Sequence, residues 1–531
     1  MVEDQDNLSF SLGPHSADVQ RTLNDLEASD VLARIWAKDH TVWKSDPTEI
    51  TNKLGWLNIS EEMIENVQTL ESYSWEIRKA GYRHIVLLGM GGSSLTPEVI
   101  RLTFEAKQDY PELIVLDTTV PESLQHTKNI INPRTTLFIV SSKSGTTLET
   151  ISNYHYWRKI VEKDLGKDKA GQNFAAITDK GSPLEKLGNQ HGFSKIFLNK
   201  LEAGGRYSPF SYFGLLPAIL IGTDIKQLLY RANVMRNSAN LQLGAAIGTL
   251  NQNGHDKLTI VASPNIRSLG LWIEQLIAES TGKEGKGVIP VNCEPLVNPR
   301  HYGNDRLFVY LRLEGDQNQE TDDAINNIKS VGQSLIQINL DDKLDIGAEF
   351  FRWQFATAVT AAIIGVHPFD QPNVDLTKSE TENILQSGKL PDINTRTSLR
   401  DMLDKSGAGN YLAIMAYLQP NEDIELAISK LRKRIVEKYH IATTFGYGPR
   451  FLHSTGQLHK GGPSSGMFLQ LTSQAGVDLP IPGQRYSFRK LLDAQRLSDF
   501  QVLNKINRPI SSYNLRNNSS EGIYKLIESI N

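Results

Sequence analysis

Short runs of apolar residues alternate with amphipathic segments through the middle of the chain. Two such runs are Ile85 to Leu88 and Leu137 to Val140, and the segments between runs carry apolar residues at three- and four-residue spacing. Buried strands that alternate with amphipathic helices are typical of a parallel sheet covered on both faces. The pattern predicts an α/β fold with two sets of strands, over 83–90, 112–117, 136–142, 173–178 and 195–199 and over 258–263, 287–292, 306–313 and 335–340.

The segments around the two sets differ in character. Residues 1–70 are predicted to be mostly helical, and 211–255 to be a helical connection. The two predicted domains are therefore 71–210 and 256–380, each a doubly wound parallel sheet. The extension over 381–531 is expected to be α+β. It is expected to open with an exposed polar connection within 378–398 and to end in about thirty loosely packed residues.

The stretch from Thr136 to Thr150 changes abruptly from apolar residues to small hydroxyl residues, and a helix is predicted to begin near Thr147. Free N–H groups at a helix start, beside several hydroxyls and one ammonium group, suit a dianionic phosphate. An ordinary helix cap is the alternative, but a cap requires only one hydroxyl. The stretch therefore predicts a phosphate site at Ser142, Lys143, Ser144, Thr146 and Thr147.

A glycine-rich turn, Gly89 to Ser94, follows the first predicted strand. Such turns let a ligand approach the backbone, as in nucleotide-binding proteins. The dinucleotide pattern G-x-G-x-x-G is not met because position 94 is serine, and the chain has no G-x-x-x-x-G-K-[ST] loop. We therefore predict that Gly92 and Ser93 help to bind a small phosphate ester together with the 142–147 loop.

Two further segments offer groups for acid–base chemistry. Arg206, in a glycine-containing turn, would place a permanent charge beside a developing oxyanion, although a structural salt bridge is as good an interpretation. Gln275 and Glu279 share one face of a helix that Gly282 is predicted to end. The negative end of the helix dipole should raise the pKa of Glu279 towards the range of a general base, unless the side chain is simply solvated.

Histidines outside these segments are harder to interpret. His301 lies in a loop between two predicted strands, where it could exchange a proton with a sugar oxygen. His453 and His459 are too far apart for the paired metal ligands of a helix, and no acidic residue lies near them. Their segment, rich in glycine and containing Lys460, is predicted to line the entrance of a ligand site.

Composition excludes several classes of protein. The 531 residues carry 56 basic and 60 acidic side chains, so the net charge of −4 gives no general attraction to nucleic acid or to a membrane surface. Cys293 is the single cysteine, which excludes an internal disulfide and a multi-cysteine metal site. With an acidic, polar start and no apolar run of membrane-spanning length, the chain is expected to be a soluble cytoplasmic protein.

Taken together, the ordered motifs over about residues 80 to 380 resemble the glucose-6-phosphate isomerase family. GMGGSSLTP is similar to the family's GIGGSxLGP turn, and SSKSGTT to its phosphate loop SKTFTT. AGGRYS matches its GGR-[FY]-[ST] signature, and QLIAES with TGK resembles the segment that carries its catalytic glutamate. FDQPNVDLTK resembles the closing signature F-D-Q-x-G-V-E-x-x-K.

The resemblance implies two sugar-isomerase αβ domains and a particular role for each matched residue. Glu279 would move a proton between carbons one and two of the substrate through a cis-enediolate, with Arg206 near the enediolate oxygens. Lys378 and His301 would open the sugar ring, and Gln275 and Gln371 would contact the sugar. The implied reaction needs neither cofactor nor metal, because it is an internal redox change by proton transfer.

The chain departs from the family at several positions. Asn373 and Asp375 replace a glycine and a glutamate of the closing signature, and Gly145 stands where the family has an aromatic residue. His301 is assigned by its position 22 residues after Glu279 alone. In the family this histidine comes from the neighbouring subunit, which implies a homodimer. The long tail resembles the isomerase half of bifunctional transaldolase/glucose-6-phosphate isomerase proteins.

Three alternatives stay open at this point. A related isomerase could act on another sugar phosphate such as mannose 6-phosphate, which turnover of both epimers would decide. A sugar-phosphate sensor would keep the hydroxyl loops without needing a base, and an NAD-linked dehydrogenase would reduce its cofactor. The sequence favours an enzyme that interconverts glucose 6-phosphate and fructose 6-phosphate in glycolysis and gluconeogenesis.

Overall fold

Three separate sheets organise the chain, and helices pack between and around them. A computed structural model describes residues 7–199, 202, 204–391, 397–474, 476–516 and 519–531. Ala203 of the AGGRYS motif lies outside these residues. None of the helices within the described ranges has both the length and the apolar character needed to cross a bilayer.

The first sheet contains five parallel strands. Its elements are β2 His84–Gly89, α5 Gly92–Phe104, β3 Glu112–Leu116, α6 Pro121–Ile130, β4 Thr136–Ser141, α7 Leu148–Leu165, β5 Phe174–Asp179, α8 Pro183–Gln190 and β6 Lys195–Asn199. The strands lie in the spatial order β3-β2-β4-β5-β6. All five agree with the predicted runs to within about one residue, because continuous apolar residues fill strands that are covered on both faces.

The second sheet combines four parallel strands with one antiparallel edge strand, β1 Leu8–Ser11. Its other elements are β7 Lys257–Ala262, α12 Leu269–Thr281, β8 Ile289–Asn292, β9 Arg306–Leu313, α13 Gln319–Ser330, β10 Ser334–Leu340 and α14 Ile346–Ile364. The strand order is β1-β10-β9-β7-β8, and the parallel strands agree with the prediction. The helical prediction for residues 1–70 lacked β1, whose four residues give too short a pattern to recognise.

Helices from the N-terminal segment and the predicted connection form one helical region with α14, which is buried over most of its length. These helices are α1 Ser16–Ala28, α2 Val31–Trp36, α3 Ile59–Glu62, α4 Val67–Lys79, α9 Tyr212–Leu220, α10 Ile225–Asn237 and α11 Gln242–Gln252. Helices α10, α11 and α12 pack directly against α14, and α1 packs on α11. The resulting apolar cluster joins the two sheets into one core.

The C-terminal extension forms a third sheet, in which every pair of strands is parallel. Its elements are α16 Leu399–Asp404, β11 Tyr411–Tyr417, α17 Glu422–Tyr439, β12 Ala442–Tyr447, α18 Gly456–Gly461, β13 Gly466–Thr472, α19 Phe488–Lys505, β14 Ile510–Asn514 and α20 Ser519–Ser529. The strand order is β12-β11-β13-β14. The α+β prediction for this region is therefore wrong, because glycines in the segments around the six-residue helix α18 obscured the alternation of strands and helices.

Two further expectations for the extension are also corrected. The first ten residues of the polar segment expected to be an exposed connection, 378–387, belong to the helix α15 Asp375–Ser387. This helix packs on α19 and runs through the boundary expected at residue 380. Residues 392–396 of that segment lie outside the described residues. The end of the chain is firmly packed, since Ile523 and Ile530 are fully buried in the core of the third sheet.

Candidate active site

A cavity of about 530 Å³ opens where the first two sheets and the C-terminal extension meet. Eleven of the thirteen side chains or glycines predicted as site residues line it, and Ser142 and His301 do not. The predicted residues at the cavity are Gly92, Ser93, Lys143, Ser144, Thr146, Thr147, Arg206, Gln275, Glu279, Gln371 and Lys378.

One side of the cavity, which we call the hydroxyl wall, consists of Lys143, Ser144, Thr146 and Thr147. The helix α7 begins directly after Thr147, whose side chain makes no capping bond. The Ser144 and Thr146 hydroxyls contact each other at 3.0 Å and belong to exposed positions. These hydroxyls and the first N–H groups of α7 therefore stay available to an anion, and an ordinary N-cap does not explain the loop.

Ser142 and Gly145 belong to the same loop but do not line the cavity. The Ser142 hydroxyl lies 2.9 Å from that of Thr147 and accepts a hydrogen bond from the Gly145 N–H at 3.1 Å. Gly145 has φ +70°, and a β-carbon there would approach the Leu184 nitrogen to 2.7 Å. The start of α8 thus takes up the space beside the loop, so no aromatic side chain fits where the family usually has one.

Lys143 brings the positive charge of the hydroxyl wall. Its Nζ donates to Asp179 Oδ2 at 2.6 Å across the ends of neighbouring strands, and the lysine side chain is 27 % exposed. Burial raises the pKa of Asp179 above its ordinary value, although the Lys143 ammonium opposes that change. A bound phosphate would meet an ammonium group already held in place by this carboxylate.

The glycine turn after β2 also lines the cavity. A β-carbon at Gly92 would lie 2.0 Å from the Gly205 oxygen, so only glycine allows the turn that carries Arg206 to reach the start of α5. Gly91 has φ +56°, and a β-carbon there would lie 2.9 Å from the His453 oxygen. These close contacts bring three distant segments of the chain together at one point.

A second group of lining residues, which we call the carboxylate wall, consists of Arg206, Gln275 and Glu279. Arg206 Nη1 lies 3.0 Å from Glu279 Oε2, and Nε donates to Ser280 Oγ at 2.9 Å. Its Nη2 donates to the carbonyl oxygens of Pro368 and Asp370. The charge predicted beside Glu279 is present, and the Arg206 guanidinium is buried with all three nitrogens engaged in hydrogen bonds.

Glu279 projects into the cavity from the last turn of α12, as the sequence predicts. Gln275 Nε2 donates to its second carboxylate oxygen at 3.2 Å, across one turn of the helix. Burial raises the pKa of Glu279 above its ordinary value, while Arg206 and Gln275 oppose that rise. The direction agrees with the sequence expectation, but the dominant cause is desolvation rather than the helix dipole.

Gln371 and Lys378 come from the segment that follows α14. The Gln371 Oε1 atom accepts a hydrogen bond from Arg206 Nη1 at 3.1 Å. Lys378, on α15, is more than half exposed and pairs with Asp375 at 3.0 Å. Lys283 supports this segment, because its buried Nζ donates to the Asp370 carboxylate at 2.6 Å and to the Asp370 carbonyl oxygen at 2.7 Å.

His301 does not line the cavity of its own chain. It sits in a short turn, where its ring stacks on that of His440 with centroids 5.5 Å apart. Arg300 Nε also lies 3.2 Å from His301 Nε2. To open the sugar ring, His301 would therefore have to reach the cavity of another subunit, and that role stays a prediction.

Another histidine, His453, does line the cavity. Its Nε2 lies 2.9 Å from Oε1 of Glu149, which is buried near the start of α7. Burial alone would lower the pKa of His453, but the Glu149 carboxylate raises it above the ordinary value. Sequence reasoning missed this pair because its members are 304 positions apart; the glycine-rich setting of His453 was the available signal.

The segment around His453 confirms a broader expectation. Leu452, His453 and Lys460 all line the cavity, as predicted for an entrance segment, and Gln495 joins them from α19. Lys460 is buried and pairs with Asp499 at 2.6 Å. The C-terminal extension therefore forms part of the cavity wall rather than a separate appendage.

Comparison with known proteins identifies relatives of the chain. A family model described as phosphoglucose isomerase matches residues 27–284. A probable glucose-6-phosphate isomerase of Methanococcus maripaludis is 25 % identical over 398 residues, which are 65 % of this chain and 87 % of that protein. A glucose-6-phosphate isomerase of Campylobacter jejuni is 26 % identical over 382 residues, 62 % of this chain and 90 % of that protein.

Solved structures support the fold. A glucose-6-phosphate isomerase from Chlamydia trachomatis has a TM-score of 0.62 at 16 % identity and covers 72 % of this chain and 88 % of that chain. A hypothetical protein from Thermus thermophilus has a TM-score of 0.60 at 23 % identity and covers 71 % of this chain and 99 % of that chain. The first two sheets thus have the fold of sugar-phosphate isomerases.

The family resemblance drawn from the motifs is confirmed: the chain is similar to the phosphoglucose isomerase family over residues 27–284 and to glucose-6-phosphate isomerases over more of its length. The similarity of its tail to bifunctional transaldolase/isomerase proteins stays a prediction.

Proposed function

We propose that this protein interconverts glucose 6-phosphate and fructose 6-phosphate by proton transfer, and that the residues of the two walls carry the roles given below. One observation supports the proposal most strongly. A buried carboxylate, Glu279, lines the same cavity as an anion-binding loop at the start of α7. A phosphate held at that loop would leave the other end of a six-carbon sugar close to the carboxylate.

In the proposed reaction, Glu279 takes a proton from one of two neighbouring carbons and returns it to the other. Burial raises the pKa of Glu279 above the ordinary value of a glutamate, which favours a base that must both accept and release a proton. Arg206 stays charged throughout and faces the negative charge of the enediolate intermediate. The reaction needs no external oxidant or reductant, because one carbon of the sugar is oxidised while its neighbour is reduced.

The hydroxyl wall would hold the phosphate through Ser144, Thr146 and Thr147, with Lys143 supplying charge. Gly92 and Ser93, which line the cavity from the glycine turn that follows β2, would complete the binding of the substrate. Gln275 and Gln371 already bond to the catalytic pair and would meet the sugar hydroxyls with their remaining polar atoms.

Ring opening requires a group that exchanges protons with the ring oxygen and the anomeric hydroxyl. Lys378 lines the cavity and would contribute there. Of the two candidate histidines, His453 lies at the cavity and pairs with Glu149, whereas His301 would act only from a partner subunit. The contact of His453 with the cavity favours it for this step.

The direct test supplies fructose 6-phosphate to the purified protein without any cofactor and follows the products by NMR. The proposal expects glucose 6-phosphate to appear and Glu279→Gln to abolish its formation. Saturable binding without turnover would instead identify a sugar-phosphate sensor. Equal turnover of mannose 6-phosphate would broaden the substrate class, and reduction of added NAD would point to a dehydrogenase.

A further inference from the structure

We propose that each chain carries a complete active site, in which the C-terminal extension supplies the ring-opening histidine, His453, to the cavity of its own chain. The inference rests on the proposed isomerase function. It departs from the shared site that the family resemblance implies, in which the histidine comes from the neighbouring subunit. Four sets of contacts within one chain carry it.

The first set fixes His453 itself. Its ring pairs with Glu149 of the first sheet at 2.9 Å, and its backbone oxygen accepts a hydrogen bond from Gln275 Nε2 at 2.9 Å. The same Gln275 nitrogen donates to Glu279. The histidine is therefore connected through one amide group to the residue proposed as the base.

The second set joins the extension to the first sheet around this histidine. Arg450, three residues before His453, pairs with Asp117 at 2.7 Å. Gln495 Nε2 donates to the Glu149 carboxylate at 2.6 Å, while its Oε1 accepts from the Thr119 hydroxyl at 2.7 Å. Gln495 is buried, so the partner of His453 is itself held in place by a second residue of the extension.

The third set joins the extension to the end of α12, three residues beyond Glu279. Gln457 Nε2 donates to the Gly282 oxygen at 3.0 Å. A β-carbon at Gly282 would lie 2.6 Å from the Leu458 α-carbon, so α18 packs directly on the backbone there. The base and the histidine thus belong to segments in van der Waals contact.

The fourth set anchors the third sheet to the second. Buried Arg432 donates to the backbone oxygens of Asn292 and Cys293 at 2.9 and 2.8 Å. The Glu294 carboxylate accepts bonds from the N–H and hydroxyl of Thr443 at 2.6 and 2.8 Å. If the extension separated from the second sheet, these buried polar groups would lose their hydrogen-bond partners, which costs free energy. The extension is therefore an integral part of the core.

The proposed step balances within the site. The bond between the anomeric carbon and the ring oxygen breaks, and its electron pair stays on the ring oxygen, which takes a proton from the His453 imidazolium. The anomeric hydroxyl releases its proton, which returns through water to the neutral imidazole. The sugar becomes an open-chain carbonyl compound, and His453 regains its starting charge.

Mixing inactive variants of the full-length protein distinguishes this arrangement from a shared site. E279Q and H453N are purified separately and also co-expressed, with thermal unfolding as the check on folding. If both groups act within one chain, the mixture should be as inactive as its components. If the histidine acts on a partner, random pairing in a dimer should restore about a quarter of the parent activity.

The matched control replaces the other histidine. H301N should keep the parent activity, whereas H453N should lose about 10²-fold, the usual contribution of a general acid–base group. H453Q provides a second variant should H453N unfold. Three results would each overturn the inference. They are recovery of activity in the E279Q and H453N mixture, full activity of H453N or H453Q alone, and loss of activity in H301N. An inactive parent protein would instead contradict the proposed function.

Discussion

The two walls of the cavity are built in opposite ways. Arg206 and Glu279 of the carboxylate wall have side chains only 3 % and 7 % exposed, and every polar atom of the two side chains has a hydrogen-bond partner. In the hydroxyl wall, Ser144 and Thr146 are exposed and bond to each other within one loop. The carboxylate wall is therefore buried and fixed by its own hydrogen bonds, whereas the hydroxyl wall exposes two hydroxyls to the solvent.

The difference suggests a division of work. A buried, pre-positioned carboxylate and guanidinium can stabilise charge that develops during the reaction without reorganising. If the hydroxyl wall binds the phosphate as proposed, its hydroxyls should stabilise the substrate and the transition state equally, because the phosphate does not change during the reaction. Changes to the carboxylate wall should therefore lower kcat, and changes to the hydroxyl wall should raise KM.

The largest effect is expected for Glu279→Gln. The amide keeps the shape of the side chain but cannot accept a proton, so kcat should fall by about 10³-fold while KM stays within a few-fold. Steady-state kinetics measure both. Glu274→Gln is the matched control, since Glu274 is a buried glutamate on the same helix but does not line the cavity. A similar loss in both variants would contradict a specific role for Glu279.

The next effect is expected for Arg206→Lys, which keeps the charge but loses the planar fork. We expect kcat/KM to fall by about 10²-fold, because one ammonium cannot bond to Glu279, Gln371 and two carbonyl oxygens together. Arg352→Lys alters a comparably buried pair with Glu349, away from the cavity. That control should lower thermal stability without changing kcat, and an equal kinetic effect would argue for a general structural cause.

A smaller effect is expected for the double variant S144A/T146V. Removing two exposed hydroxyls from a phosphate site should raise KM by about 10-fold with little change in kcat. Ser72→Ala, an exposed hydroxyl on α4, is the control. A fall in kcat at unchanged KM would show that the hydroxyl wall takes part in the chemical step, and the comparison between the walls would fail.

The smallest effect is a shift in the acid limb of the pH profile. Glu279 acts as a base only when unprotonated, so activity should be lost as the pH falls through its pKa. Because burial raises that pKa above the ordinary value of 4.5, kcat/KM should begin to fall at a higher pH than for a solvated glutamate. A midpoint at or below 4.5 would contradict the buried environment assigned to this residue.

Both walls could largely be predicted from the sequence, because each lies in a short segment whose pattern encodes its local structure. Glu279 and Gln275 share a helix face by spacing alone, and Ser144 to Thr147 precede a helix that the apolar periodicity predicts. The rule that ligands bind at the carboxyl ends of parallel strands places the loop after β4 at a ligand site. It does not place the last turn of α12 there, and only the family resemblance implied that Glu279 meets this loop.

The missed features depend on packing between distant segments. Glu149 appears in sequence as an ordinary helix residue, and only the folded chain brings it to His453. Strand β1 is defined by its partner β10, more than 300 positions away. The third sheet was obscured because its strands contain glycine and one of its helices has six residues. Local periodicity carries no information about such long-range pairings.

Solvent deuterium incorporation tests the central claim most directly. Fructose 6-phosphate is incubated in D2O with the parent protein or with Glu279→Gln, and carbon two of the glucose 6-phosphate product is examined by NMR. The account predicts deuterium at carbon two with the parent, and both product formation and exchange slower by about 10³-fold with the variant, which should still bind the substrate. Deuterium exchange by Glu279→Gln at the parent rate would contradict it.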